Sequence, residues 1–247
     1  MTTQYDLHLY ETPQEAVHAV ASLITALSAA CIRERGRFTV ALAGGSTPKP
    51  LYELLATPPF ASHIDWKLWH VFWGDERCVP PDHQDSNYRI AAEALLNHVP
   101  VVTSQIHRIH AEDEPTAAAS AYEQTLRNAF APAEPQLDLV ILGIGDDGHT
   151  ASLFPGTEAV IEQTRLVTAN WVPHLNEHRI TTTFPLINAA KHVAILATDD
   201  SKSGAVKRAL QPEPTDEAPA IALVHPIGNG AQWYLARSAA SLLTDAP

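Results

Sequence analysis

The chain has 247 residues, of which 45% are hydrophobic and 18% charged, and its formal net charge is −12. That is the balance of one folded α/β-sized domain, and its acidity opposes non-specific attachment to nucleic acid or to an anionic membrane. No stretch approaches the roughly 20 uninterrupted apolar residues of a bilayer span. The N-terminus also lacks the basic start and apolar core of a signal peptide. The expectation is a single cytoplasmic domain over residues 1–247, compatible with a monomer.

In chain order, the first predicted helix has Thr12 as N-cap, Pro13 at its first position and Glu15 completing a capping box. Apolar residues recur at helical spacing through Ala16, Val17, Val20, Leu23, Ile24, Leu27 and Cys31, and Gly36 can end the helix. Strand-like runs follow at 38–43, 68–73, 137–142, 192–197, 220–224 and 232–236. Most are continuously apolar, the pattern of strands covered on both faces. Helical segments at 50–55, 87–97, 115–130 and 201–210 lie between them, and the proline-rich acidic run at 211–219 reads as a surface loop. Alternating strands and helices predict a doubly wound, mostly parallel sheet with ligands beyond the carboxyl ends of its strands. Cys31 and Cys78 have no metal-ligand or redox-pair neighbour and read as reduced thiols.

The residues suited to chemistry fall at those strand ends. The first strand runs into Gly44, Gly45, Ser46, Thr47 and Pro48 before a helix. Glycines admit close backbone approach, Thr47 can cap the helix with Pro48 at its first position, and free N–H groups at a helix start attract anions. The Walker pattern is absent. The second strand ends in Gly74, Asp75, Glu76 and Arg77. Asp75 and Arg77, two positions apart, can face one cleft, while Glu76 reads as a solvated strand end. The third ends in Gly143, Gly145, Asp146, Asp147, Gly148 and His149. Its glycines match a dinucleotide fingerprint, and Glu162 lies at a ribose-binding distance. However, Pro155 and Gly156 leave room for only a short helical turn, and such a fingerprint needs a helix opening directly there. The economical reading is that the glycines expose His149, with Asp147 close by, for proton transfer near neutral pH.

Arg179 and Lys202 are the later basic candidates. Lys202 stands at a helix start, unfavourable for the dipole unless an anion offsets it. His107 with His110, and His174 with His178, have neither the H-E-x-x-H form nor a third ligand nearby, so no metal site is expected.

Taken together, these segments resemble the 6-phosphogluconolactonase family of the glucosamine/galactosamine-6-phosphate isomerase superfamily, over nearly the whole chain. The carrying stretches are Ala43 through Pro48, Trp73 through Arg77 with Asp85-Ser86-Asn87-Tyr88, Gly143 through Gly156, Arg179-Ile180-Thr181, and Leu186 through Ala190. The resemblance implies a Rossmann-like fold similar to glucosamine-6-phosphate deaminase, with helices on both faces of the sheet. It implies hydrolysis of 6-phospho-D-glucono-1,5-lactone in the oxidative pentose phosphate pathway, with no cofactor and no metal. By position, His149 matches the general base and Asp75 an acidic active-site residue. Gly44, Gly45, Ser46, Thr47, Arg179 and Lys202 match the sugar-phosphate region, and Arg77 a basic residue facing phosphate or lactone. Asp75 and Asp147 both stand as partners for His149.

Two other readings compete. The related deaminases carry an asparagine-glutamate-proline segment whose glutamate assists the histidine, and here Ser152-Leu153-Phe154-Pro155 has no acid. A sugar-phosphate-binding regulator without catalysis would commonly carry a basic DNA-binding segment, and none is present. One departure from the lactonase pattern is Ala236, where an aspartate is usual after Trp233-Tyr234-Leu235.

Overall fold

The computed structural model describes residues 5–227 and 230–244. Strand β1 (Tyr5–Tyr10) leads through Thr12 into helix α1 (Pro13–Arg35). The capping box is present: Thr12 Oγ1 accepts from Glu15 N at 3.2 Å, and Glu15 Oε2 accepts from Thr12 N at 3.1 Å. Gly36 ends the helix in the left-handed conformation, with φ of 73°. By length and composition α1 is apolar enough to cross a bilayer, yet it lies along the sheet and buries Ala16, Val17, Val20, Ala21 and Ile24 in the core.

The remaining elements are β2 (Phe38–Leu42), α2 (Lys49–Leu55), α3 (Phe60–His63), β3 (Trp69–Trp73), β4 (Asp75–Arg77) and α4 (Asn87–Ala91). They continue as α5 (Pro115–Phe130), β5 (Leu139–Leu142), β6 (Val167–Val172), β7 (Glu177–Thr182), α6 (Phe184–Ala189), β8 (His192–Ala197), α7 (Ser203–Leu210) and β9 (Ala231–Ala236). Six strands form one sheet in the order β1-β9-β8-β5-β2-β3, every pair parallel. β2 and β5 are buried at every position, as both-face coverage requires. Chain order reverses beside β2: the chain steps outward to β3, then returns to β5 on the other side. In such sheets the crevice beyond the carboxyl ends at the reversal is the ligand position.

The fold departs from the sequence expectation in several places, beginning with β1, whose alternating Tyr5–Tyr10 run is not among the expected strands. A second, antiparallel sheet of order β4-β7-β6 stands beside the first. Its strands are rich in Asp, Glu, Arg, Thr and Asn, so no apolar run announced them. Residues 220–224, expected as a strand, instead contain a 3₁₀ turn at Ala220–Leu223. A short apolar run does not distinguish strand from buried turn, and Pro219 before it and Pro226 after it confine this one. Finally, α2 starts at Lys49 with Pro48, not Thr47, at the cap position and no side-chain cap.

At the amino edge of the sheet, Asp138 is a buried hub. It accepts from Thr39 N and Thr39 Oγ1, each at 3.0 Å, and pairs with Arg35 at 2.6 Å and Lys191 at 3.1 Å. One carboxylate thereby ties α1, β2 and the start of β8 together. Asp138→Ala should cost about 3 kcal/mol, because charge-assisted donors lose their acceptor. Urea denaturation would read this as a lower midpoint with unchanged slope.

Candidate active site

The loops after β2, β3 and β5 converge on a cavity of about 180 Å³ at the strand-order reversal. Gly44, Gly45, Ser46, Thr47, Asp75, Arg77, His149 and Lys202 all line it. The structure therefore brings together eight of the expected site residues. Arg179 and Asp147 are not in the lining, though Asp147 bonds directly to a residue that is.

The His149 turn is tight. Gly148 N–H donates to Gly145 O at 2.9 Å, and Gly145 N–H to His149 O at 2.8 Å. Gly148 has φ of 90°, and a Cβ there would overlap Pro219, so this position admits only glycine without strain. The 3₁₀ turn after Pro219 locks the loop from beneath, Ile221 N–H donating to Gly148 O at 3.1 Å. Asp147 Oδ1 accepts from His149 N at 2.9 Å and meets His149 Nδ1 at 2.6 Å. Phe154 stacks on the imidazole with ring centroids 4.1 Å apart, and His174 packs edge-on against Phe154 at 5.4 Å. Partial burial pushes the Asp147 carboxyl up, but hydrogen bonds from the His149 ring and backbone N–H outweigh it and hold the pKa down at about 2, from 3.8.

Asp75 is otherwise occupied. Its Oδ2 accepts from Ser152 Oγ at 2.6 Å and its Oδ1 from Asn87 Nδ2 at 3.1 Å. Of the two aspartates, Asp147 is the one hydrogen-bonded to His149. Glu76, expected at a solvated strand end, is 3% exposed. It accepts from Arg77 N at 2.8 Å, Asn87 N at 2.7 Å, Tyr88 N at 2.8 Å and Ser86 Oγ at 3.1 Å. A carboxylate with four donors at the start of α4 is a structural anchor, although burial still pushes its pKa up. Arg77 is half-buried, donates through Nη1 to Asp85 O at 2.8 Å and, among the described residues, has no partner for its buried Nε.

Arg179 stands directly opposite Arg77 across the β4–β7 pair and is bonded to Glu177. Lys202 pairs with Asp146, which already supplies the negative charge its position at the foot of α7 calls for. Ser46 and Thr47 line the cavity, and Ser46 is exposed.

The histidine pairs have ordinary roles. His107 stacks on Phe72 at 4.5 Å, and burial lowers its pKa to about 4. His178 packs on Trp171 at 4.9 Å. Among the described residues no three metal-ligating side chains cluster. Cys31 and Cys78 are free thiols, and burial pushes Cys78 up to about 11, away from thiolate chemistry. The residues underread in the sequence are Ser152, Asn87, Phe154 and Pro219. Their roles come from contacts with distant segments rather than from local pattern.

The architecture and the site define an α/β domain with a ligand cleft where strand order reverses. The sequence profile described as glucosamine-6-phosphate isomerases/6-phosphogluconolactonase matches residues 11–233, and the chain belongs to this family. A 6-phosphogluconolactonase from Nostoc sp. is 43% identical over 226 residues, covering 90% of this chain and 91% of the relative. The solved structure of 6-phosphogluconolactonase from Trypanosoma cruzi superposes with a TM-score of 0.88 at 29% identity, covering 99% of this chain and 98% of that one. A monomeric glucosamine-6-phosphate deaminase shares the fold, with a TM-score of 0.81 at 19% identity over 96% of this chain and 100% of that one.

The Asp147 pKa has a testable consequence. Because folding lowers it from 3.8 to about 2, ionised Asp147 stabilises the fold above pH 3.8, and that contribution is lost as pH falls toward 2. Asp147→Asn should therefore lose less stability than wild type over this window in a urea series. Equal slopes would mean that the carboxyl titrates alike folded and unfolded.

Proposed function

We propose that this chain hydrolyses 6-phospho-D-glucono-1,5-lactone to 6-phospho-D-gluconate, the lactone-opening step of the oxidative pentose phosphate pathway, as a metal-independent, cytoplasmic enzyme. The observation that carries the reading is the His149–Asp147 pair at 2.6 Å, facing a cavity whose other wall is the glycine and hydroxyl loop at 44–47.

With Asp147 ionised, Nδ1 of His149 keeps its proton and Nε2 carries the lone pair. Nε2 takes a proton from water as the water oxygen attacks the lactone carbonyl. The carbonyl oxygen becomes an oxyanion, stabilised by Arg77 or by backbone N–H groups of the glycine turns. Collapse breaks the bond to the ring oxygen, and the imidazolium returns its proton to that oxygen. Asp147 stabilises the imidazolium meanwhile. Asp75 acts by holding Ser152 and Asn87 in the wall rather than by orienting the imidazole. The phosphate docks on Gly44, Gly45, Ser46 and Thr47 with Lys202, through charge-assisted hydrogen bonds. Arg179 stands opposite Arg77 on the neighbouring strand, and meeting the phosphate itself would require exchange of its Glu177 pair.

The alternative is deamination of an amino sugar phosphate. Against it, Phe154 occupies the imidazole face, and Asp147 is the sole carboxylate bonded to His149 among the described residues. A binding-only regulator would show affinity without turnover.

The test is a coupled assay of freshly generated lactone, corrected for spontaneous opening and run with and without EDTA. Wild type should accelerate opening equally in both, and His149→Ala should lower kcat roughly 10²–10⁴-fold with little change in KM. Full activity in His149→Ala removes the histidine from the mechanism. Loss in EDTA removes metal independence, and turnover of glucosamine 6-phosphate alone moves the chain to deamination. Lys202→Ala should raise KM for the phosphorylated lactone and leave unphosphorylated gluconolactone unaffected. An equal effect on both would reassign the phosphate site.

A further inference from the structure

Asn87 is fully buried, lines the cavity and carries an unpaired buried Oδ1. Its carboxamide orientation is fixed by its neighbours. Nδ2 donates to Asp75 O at 2.9 Å and to Asp75 Oδ1 at 3.1 Å. The reversed orientation would set an oxygen against two acceptors, so Nδ2 faces Asp75 and Oδ1 faces the Gly44 side. A Cβ on Gly44 would overlap the carboxamide, so the absent side chain is what gives Asn87 its place in the cavity wall. Asp75 is in turn held by Ser152 at 2.6 Å, and Asn87 N is anchored on Glu76 at 2.7 Å. The fold thus sets one rigid acceptor in the cavity wall against Gly44, and among the described residues it has no donor. A buried acceptor left unpaired is costly, and native structures satisfy nearly all of them.

We propose that Asn87 is a substrate-positioning residue whose Oδ1 accepts a hydrogen bond from a ring hydroxyl of the sugar lactone. This rests on the lactonase reading above. The chemistry selects the partner: at neutral pH the lactone carbonyl, the ring oxygen and the ionised phosphate mainly accept, whereas the ring hydroxyls donate. A site built to bond a hydroxyl rejects an analogue lacking it, because its own polar group is then stranded.

The experiment uses the full chain with 6-phosphogluconolactone and its 2-, 3- and 4-deoxy counterparts, each generated from the matching deoxyglucose 6-phosphate. In wild type, one deoxy lactone should lose roughly 5- to 150-fold in kcat/KM, the cost of one stranded acceptor. In Asn87→Ala the parent lactone should fall by a similar factor, and the penalty for that same deoxy lactone should shrink toward one. Gly44→Ala, which displaces the carboxamide without changing it, should give the same pattern. Thermal melts report whether either variant is folded, and the wild-type panel tests the proposal without any variant. Equal wild-type turnover of all four lactones overturns it. A fall in kcat in Asn87→Ala common to all four lactones also overturns it, and assigns the acceptor to the attacking water instead. Failure of wild type to open any of the lactones is a different result, because it sinks the lactonase reading itself.

Discussion

Gly74 N–H donates to Leu42 O in the parallel sheet at 3.0 Å, and Gly74 O accepts from Thr182 N and Thr182 Oγ1 in the antiparallel one, each at 2.8 Å. Within one residue the chain leaves β3 and becomes β4. That handover sets Asp75 and Arg77 across from the His149 turn instead of letting them run out along β3. It also brings Thr181 opposite Asp75, where its hydroxyl accepts from Ser152 N at 3.1 Å. The two sheets, the 44–47 loop and the β5 turn therefore share one joint. Parallel strand order supplies the crevice, and the second sheet supplies its far wall.

What was legible in the sequence follows the range of the forces involved. The α1 caps are local, so Thr12, Glu15 and Gly36 could be placed from a few residues of pattern. β2, β5 and β8 carry nearly unbroken apolar runs because both faces are covered, and these too could be read directly. Polar strands could not. β4 is Asp-Glu-Arg, and it is a strand because β7 pairs with it and because four donors beyond it or at its end satisfy Glu76. The same nonlocal logic hid the 3₁₀ turn under Gly148, which packs against a loop some seventy residues away in sequence. In the site, eight of the expected residues converged where strand ends met, while Arg179 and Asp147 stayed outside the lining. The division of labour between Asp75 and Asp147 was not visible, since it depends on Ser152 and Asn87 approaching one carboxylate and His149 the other.

The electrostatics of the cleft bear on how an acidic chain would hold the anionic substrate proposed for it. The net charge of −12 is spread over the surface, while the field within a cleft is set by the few groups that line it. Lys202 in the lining is held by Asp146, and Arg179, across from Arg77 but outside the lining, by Glu177. Arg77 is held by a backbone carbonyl. These partners fix the cations in place before any ligand arrives, which reduces the ordering cost of binding. Asp146 is largely exposed, so the phosphate of the proposed substrate would share or displace it at Lys202 with little desolvation of protein charge.

The two aspartates differ because their surroundings differ. Asp147 is on the loop, part-exposed, with His149 as its one side-chain partner among the described residues, and its low pKa keeps it anionic near neutral pH. Asp75 is buried, and its two oxygens are assigned to an amide and a hydroxyl that do not titrate. A carboxylate in the first setting can follow the charge of a reacting base. In the second it can only hold geometry, and the geometry it holds is that of Ser152 and Asn87, the latter lining the cavity with a buried Oδ1 that has no donor among the described residues.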